Sequence, residues 1–278
     1  ARGETTRYKQ VSSALTERKF RFGRIIHRRT IFHGVPAPET SEEQLRRQLS
    51  WLGQHWEWTM RTLVRERQGM TALDVGCGPG LVMELLSPFL DVMGLDIDPE
   101  MVRQVRAKGM EAVLGDAQDL PFKDDSFDLV YCSFTMMWLP DQQKAIQEMA
   151  RVARQCVVCL AEPDYGRRIC SPPEVSRLDK GLIRSLRAEG ADPFTGRKLD
   201  RLMRKAGLAV DFEAYAGKWT GAQFREEAEA EWNSLSKAVE GFVDTETLER
   251  ARAAWDAALA DDKLVLINPV FRAIGWKR

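Results

Sequence analysis

The chain has 278 residues, 44% of them hydrophobic, with 41 Lys+Arg against 41 Asp+Glu and no formal net charge. That length suits one large α/β domain with attachments or two small domains, and the balanced charge advertises neither nucleic acid nor a membrane surface as partner. No apolar run approaches the roughly 20 residues of a spanning helix.

The charged start lacks an apolar signal core, which argues against secretion, and the opening at Ala1 rather than Met points to processing or trimming. Residues 1–30 hold nine Lys/Arg and two Asp/Glu, whereas residues 221–262 hold four and eleven. These stretches read as two solvated faces; a sharper alternative has the basic arm closing a lid against the acidic segment. Ser41-Glu-Glu-Gln44 is a capping box. Leu45, Leu49, Leu52, Trp56, Met60 and Leu63 then recur at spacings of three and four, predicting one apolar helix face to about Arg67, weakened at Gly53 and ended by Gly69. Trp51, Trp56 and Trp58 on this helix read as core.

From Thr71 the pattern alternates. It predicts strands at 71–76, 91–97, 111–116, 127–133 and 156–162, with helices at 80–87, 99–108 and 141–153; Asp98 and Pro99 supply an N-cap and a first-turn proline. Such alternation implies a parallel sheet covered by helices on both faces, its strand carboxyl ends aligned along one ligand-binding edge. The rhythm breaks over 165–195, where a helix is expected at 174–188. A helix at 197–205 and a strand at 207–215 resume it. Residues 221–260 read as one amphipathic helical stretch, and strand 264–274 closes the chain, the seventh predicted.

The five cysteines (Cys77, Cys132, Cys156, Cys159, Cys170) fall on expected strands and turns, so reduced thiols in a cytoplasmic protein are expected. Cys156 and Cys159 have CxxC spacing, but on a strand they point to opposite faces and no second pair completes a metal site; buried strand thiols are the expectation, and no metal. His27, His33 and His55 stand outside every motif.

The chemistry concentrates at Thr71–Gly80. An apolar strand runs into Asp74-Val-Gly76-Cys77-Gly78-Pro-Gly80, a turn whose missing Cβ atoms let backbone approach a ligand closely. Asp96 follows 20 residues after Gly76, the separation at which an acid on the second strand meets ribose hydroxyls. Gly115-Asp116-Ala117 with Leu120-Pro-Phe122 ends the third strand, and Ser126-Phe-Asp-Leu-Val130 begins the fourth.

Over about residues 70–164 these four ordered blocks resemble the class I S-adenosylmethionine-dependent methyltransferases, and within them the small-molecule branch typified by ubiquinone/menaquinone methyltransferases. The resemblance implies a Rossmann-like, doubly wound, mostly parallel seven-stranded α/β sheet with helices on both faces, plus a helical N-terminal extension and helical insertions. It implies S-adenosyl-L-methionine as cofactor. Asp74, Gly76, Cys77, Gly78 and Gly80 would pass the methionyl and adenosyl parts, with the next helix N-terminus favouring the carboxylate. Asp96 would hold the ribose, Ile97 would pack on adenine, Asp116 and Ala117 would bond its edge, and Ser133 would sit near the methionyl end. A Pro-Gly-Gly turn frequent in the family before the fifth strand is absent; Arg151–Cys156 runs almost directly into it.

Trp138, Glu162, Asp164 and Tyr165 follow the fourth and fifth strands and are candidate substrate-pocket residues. Glu162 or Asp164 would orient an amine or accept a proton, with a loop carboxylate bonded to backbone as the competing reading of Glu162. Residues 1–69 are expected as basic arm and helical lid, and 70–278 as the catalytic domain, with insertions at about 165–195 and 217–262 forming a substrate cap. The expected reaction is methyl transfer to a small-molecule acceptor by in-line displacement. Competing readings are an RNA or protein methyltransferase using the basic arm, a non-catalytic S-adenosylmethionine-binding partner subunit and, more distantly, a nicotinamide oxidoreductase. The sequence leaves the acceptor, any general base and the oligomeric state open.

Overall fold

The computed structural model describes residues 41–64, 69–216 and 221–278. The basic arm, with His27 and His33, lies outside them, and so do the side chains of the Ser41–Gln44 capping box. Helix α1 (Ser41–Val64) presents the face its periodicity predicts: Leu52, Trp56 and Met60 are buried, flanked by Leu49 and Leu63. Trp58 departs from expectation, since it lies on the opposite side of the helix and is 59% exposed. Gly53 is a packing position: a Cβ there would lie 3.3 Å from Leu49 Cδ1 and 3.7 Å from Leu85 Cδ2.

The alternating segment folds as β1 (Thr71–Val75), α2 (Leu81–Leu86), β2 (Asp91–Asp96), α3 (Pro99–Ala107), β3 (Glu111–Leu114), β4 (Phe127–Cys132), α4 (Gln142–Val152) and β5 (Ala153–Pro163). Asp98 caps α3, accepting from the Glu100 N–H at 2.8 Å, and Asp141 caps α4 through the Lys144 N–H. Strand β5 starts at Ala153 rather than at 156. The chain turns from helix to strand without a loop, because Ala153 pairs with Phe127 at the start of β4.

Then come β6 (Ile169–Ser171), α5 (Pro173–Ser176), α6 (Asp179–Ala188), α7 (Leu199–Lys205), β7 (Ala209–Ala216), α8 (Gly221–Ala238), α9 (Thr245–Ala260), β8 (Val265–Ile267) and β9 (Pro269–Trp276). The 221–260 stretch is two helices, broken where Gly241 takes φ +74° and Asp244 caps α9 through the Thr247 N–H. The expected last strand is likewise two, parted at Asn268.

The main sheet has seven strands in the order β3-β2-β1-β4-β5-β9-β7, with only β9 antiparallel to its neighbours. On one face α1 and α2 bury Leu52, Trp56, Met60 and Leu86 against Ala72, Leu129, Tyr131, Val158, Leu160 and Ile274. Helix α3 joins α2 around Met83, Val102, Val105 and Ala112. Helices α4 and α7 cover the other face, where Gly275 lies so close to Leu208 and Met203 that a Cβ would collide.

The insertions leave and return at one edge. Strand β5 ends at Pro163, β7 ends at Ala216 and the reversed β9 begins at Pro269, all at the carboxyl edge of the parallel strands. Above that edge β6 pairs with β8 in a two-stranded ribbon. A second core forms there, joining Val175, Leu178 and Leu182 to Ala228, Trp232, Leu235, Val239, Ala251 and Trp255. Arg47 ties α1 to this module by donating to Ser234 Oγ at 2.9 Å. Among the described residues no helix is long and apolar enough to cross a membrane.

Candidate active site

The turn after β1 is held by backbone. The N–H groups of Gly76 and Cys77 both donate to Leu95 O, at 2.8 and 3.0 Å, which fastens the turn to the tip of β2. Gly76, Gly78 and Gly80 all take positive φ, the region open to glycine and costly for other residues. Their surroundings differ. A Cβ on Gly76 would lie 2.5 Å from Thr135 Oγ1, whereas one on Gly78 would meet nothing nearer than Leu45 Cδ1 at 4.0 Å. Gly76 is therefore a packing contact with the loop after β4, and Gly78 faces open space under the first turns of α1. Cys77 is buried beside Gly94, and burial pushes its thiol well above the usual range; it fills space.

Asp74 is buried at the penultimate position of β1. Burial raises its carboxyl to about 8, reinforced by Asp96 and opposed by Tyr131. Its Oδ2 has no hydrogen-bond partner, and neither have Tyr131 Oη and Ser133 Oγ on the neighbouring strand and loop. Buried polar atoms without partners are costly and uncommon. Three of them around a Cβ-free bend fit the amino-acid end of S-adenosylmethionine, whose ammonium would satisfy the Asp74 oxygen.

Asp96 stands at the tip of β2. Its Oδ2 accepts from the Gly78 N–H at 2.8 Å and its Oδ1 from the Asp98 N–H at 2.9 Å. Burial raises its pKa, with those backbone donors opposing. Each oxygen retains a second lone pair for a ribose hydroxyl. Ile97, beside it, is 46% exposed, a flat apolar surface where adenine would stack. Asp116 Oδ1 accepts from the Gln118 N–H at 2.8 Å, closing the turn in which Ala117 is buried.

The substrate-pocket candidates behave differently. Glu162 is fully buried, and its carboxylate accepts three backbone donors: Thr135 and Met136 N–H on Oε1, both at 3.0 Å, and Met137 N–H on Oε2 at 3.3 Å. A bulge at Leu160–Ala161, opposite Arg272, turns Glu162 onto the face that carries Cys132 and Cys159. Burial raises its pKa to about 7 against those three bonds. Glu162 thus anchors the loop carrying Ser133 to Trp138, the reading that competed with an acid/base role. Asp164 is corrected likewise: it is buried and bidentate with Arg197, both contacts 2.6 Å, and also accepts from the Gly166 N–H. Neither carboxylate is presented to an acceptor. Tyr165 packs on the second core with its phenol pushed up by burial, and Trp138 closes the short helical turn Met136–Trp138 after the anchored loop.

Sequence reasoning missed Thr135, which fills the space beside Gly76 and donates to Gly76 O at 3.4 Å, and Tyr131, whose strand position reads only as core. It also missed Arg197. A signal existed for Tyr131 alone: a hydroxyl on a fully buried strand needs a partner.

The reversed last strand between β5 and β7, the glycine turn at the β1 tip and the acids ending β2 and β3 are the features expected of a class I S-adenosylmethionine-dependent methyltransferase domain. Residues 73–160 match the family model described as "Methyltransferase domain". A demethylmenaquinone methyltransferase of Staphylococcus aureus is 36% identical over 120 residues, 38% of this chain and 50% of that protein. A protein of transposon TN4556 from Streptomyces fradiae, described as uncharacterized, is 34% identical over 157 residues, 52% of this chain and 45% of its own length. The chain thus spans about half the length of the curated relatives it matches. Among solved structures, the chain shares its fold with a putative methyltransferase from an antibiotic biosynthesis pathway of Anabaena variabilis (TM-score 0.58, 16% identity, 81% of this chain and 97% of that one). It also shares it with the YcgJ protein of Bacillus subtilis (TM-score 0.54, 20% identity, 81% and 99%).

Proposed function

We propose that the chain transfers the methyl group of S-adenosylmethionine to a small organic acceptor bound between the strand tips, the first turns of α1 and the inserted module. The observation that carries this reading is the convergence of the turn's orphaned oxygens and both insertions on one sheet edge. A demethylmenaquinone methyltransferase among the similar proteins supports a small acceptor. In the same reading α1 supplies the lid, and the insertions at about 165–195 and 217–262 are the cap over the acceptor.

The cofactor would supply an electrophilic methyl on a sulfonium; an electron pair on the acceptor's nucleophilic atom forms the new bond as the carbon–sulfur bond breaks, S-adenosylhomocysteine leaves as a neutral thioether, and a proton displaced from the acceptor passes to solvent. The chain's part is to hold both reactants and exclude water; positioning of this kind is worth up to about 7–11 kcal/mol of barrier. Asp96 orients the ribose, Ile97 the adenine, and Asp116 with Ala117 its edge, while Asp74 and Ser133 hold the amino-acid end. Because Glu162 and Asp164 are committed elsewhere, the reading favours an acceptor that needs no carboxylate base from those positions. The cap exposes Glu226, Glu240 and Glu249, which repel a phosphate backbone and argue against RNA.

The test is incubation of the protein with methyl-labelled donor and fractionated cell extract. Label in a small-molecule product is expected. Label confined to RNA or protein would overturn the acceptor class, and donor binding without labelled product in any fraction would overturn the enzymatic reading.

A further inference from the structure

Asp74 and Tyr131 are register partners on the adjacent parallel strands β1 and β4, so their side chains rise from the same face. Both are buried to 2% exposure or less, and Asp74 Oδ2 and Tyr131 Oη both lack a hydrogen bond. The phenol and carboxylate are close enough to bias each other's ionisation. The other titratable groups acting on the pair are Cys132 on β4, Asp96 at the β2 tip and Cys77 in the turn. What α1 lays on this face is apolar: Leu49, Leu52, Trp56 and Met60.

We propose that Tyr131 is a positioning residue for donor binding: its hydroxyl, unpartnered in the donor-free structure, turns to donate to the Asp74 carboxylate when the donor binds, and so holds that group ionised and turned toward the donor's ammonium. This rests on the reading that the turn takes S-adenosylmethionine, and it extends the donor site to a residue that touches no donor atom. A carboxylate at 2% exposure gains little from water. The phenol is the neutral donor placed to stabilise its charge, and it adds no competing cation. Asp74 is raised to about 8 even with that phenol beside it, so binding a cation at neutral pH draws a proton off Asp74, and removing the phenol makes that proton harder to lose.

The experiment is calorimetric binding of S-adenosylhomocysteine, which keeps the ammonium, to the full chain from about pH 6 to about pH 9, in buffers of different ionisation heat. For the wild type, proton release on binding and affinity rising with pH are expected. Tyr131→Phe should bind about ten-fold more weakly near neutral pH, with its affinity profile displaced to higher pH. Asp74→Asn should flatten the profile and abolish the proton release. Tyr131→Leu stands in if the Phe variant does not fold. A Tyr131 variant with wild-type affinity and an unmoved profile overturns the proposal while leaving the donor site intact. Wild-type protein that binds no S-adenosylhomocysteine overturns both.

Discussion

In the proposed donor site Asp96 has two tasks for one carboxylate, and a substitution separates them. Its oxygens accept the Gly78 and Asp98 N–H groups, so Asp96→Ala loosens the turn besides losing the ribose contact. The expected stability loss is about 1–2 kcal/mol, with donor affinity falling at least about ten-fold. Asp96→Asn keeps one acceptor oxygen and should recover much of the stability but little of the affinity. Thermal melts beside donor calorimetry check this, and unchanged binding in both variants removes Asp96 from the site. At this scale the sequence is informative where partners are near in chain or bound to a motif, as with Asp74, Asp96 and Asp98. It is silent where they are distant. Asp164 reads as an open acid until Arg197 arrives from 33 residues away, and Glu162 carries two readings until the N–H groups of Thr135 to Met137, 25 to 27 residues back, decide between them.

Whole elements were legible in proportion to their length and period. Helix α1, the five parallel strands up to β5 and the helices between them follow from apolar spacing and caps. The β6–β8 ribbon does not, because each strand is three residues long and its partner lies more than 90 residues off. The break at Gly241 and Asp244 was readable in residue type, but the apolar run across it masked the signal. The glycine turn makes a sharper point, since its residues look equivalent in sequence and are not in space. Gly76→Ala sets a Cβ at φ +74° against Thr135, while Gly78→Ala sets one at φ +51° in open space. The Gly78 variant should lose only about 1–2 kcal/mol of stability, the cost of the left-handed backbone, yet bind donor poorly because the new methyl occupies the donor's space. The Gly76 variant should lose more stability, because the Thr135 loop must move as well. Equal melting temperatures for the two variants would contradict this division.

At the scale of the molecule, the sheet edge concentrates buried acid, with Asp74 where the proposed donor would place its ammonium, and the cost of that arrangement depends on pH. Burial raises Asp74 from 3.8 to about 8 and Glu162 from 4.5 to about 7. A carboxyl raised on folding is more protonated in the folded state than in the unfolded one. Its stabilising contribution is complete below the unfolded value and lost as pH climbs toward the folded value. Asp128, held low by Thr71 and Arg154 against its own burial, and Glu148, held low chiefly by Arg151, work in the opposite sense, but only in more acid solution. His55, lowered by burial, adds stability as pH climbs toward 6.5, where its contribution is complete, and so offsets part of the loss only below that value. Donor-free protein is therefore expected to melt at progressively lower temperature from about pH 5 to about pH 8. Asp74→Asn and Glu162→Gln should each flatten that decline. Saturating S-adenosylhomocysteine should flatten it in the wild type, because the ammonium compensates the Asp74 charge and favours its ionised form, but should do nothing to the slope that remains in Asp74→Asn. Melting temperatures that rise across this window without ligand would show that the two buried acids do not ionise as their surroundings require, and that the edge is not poised for a cation.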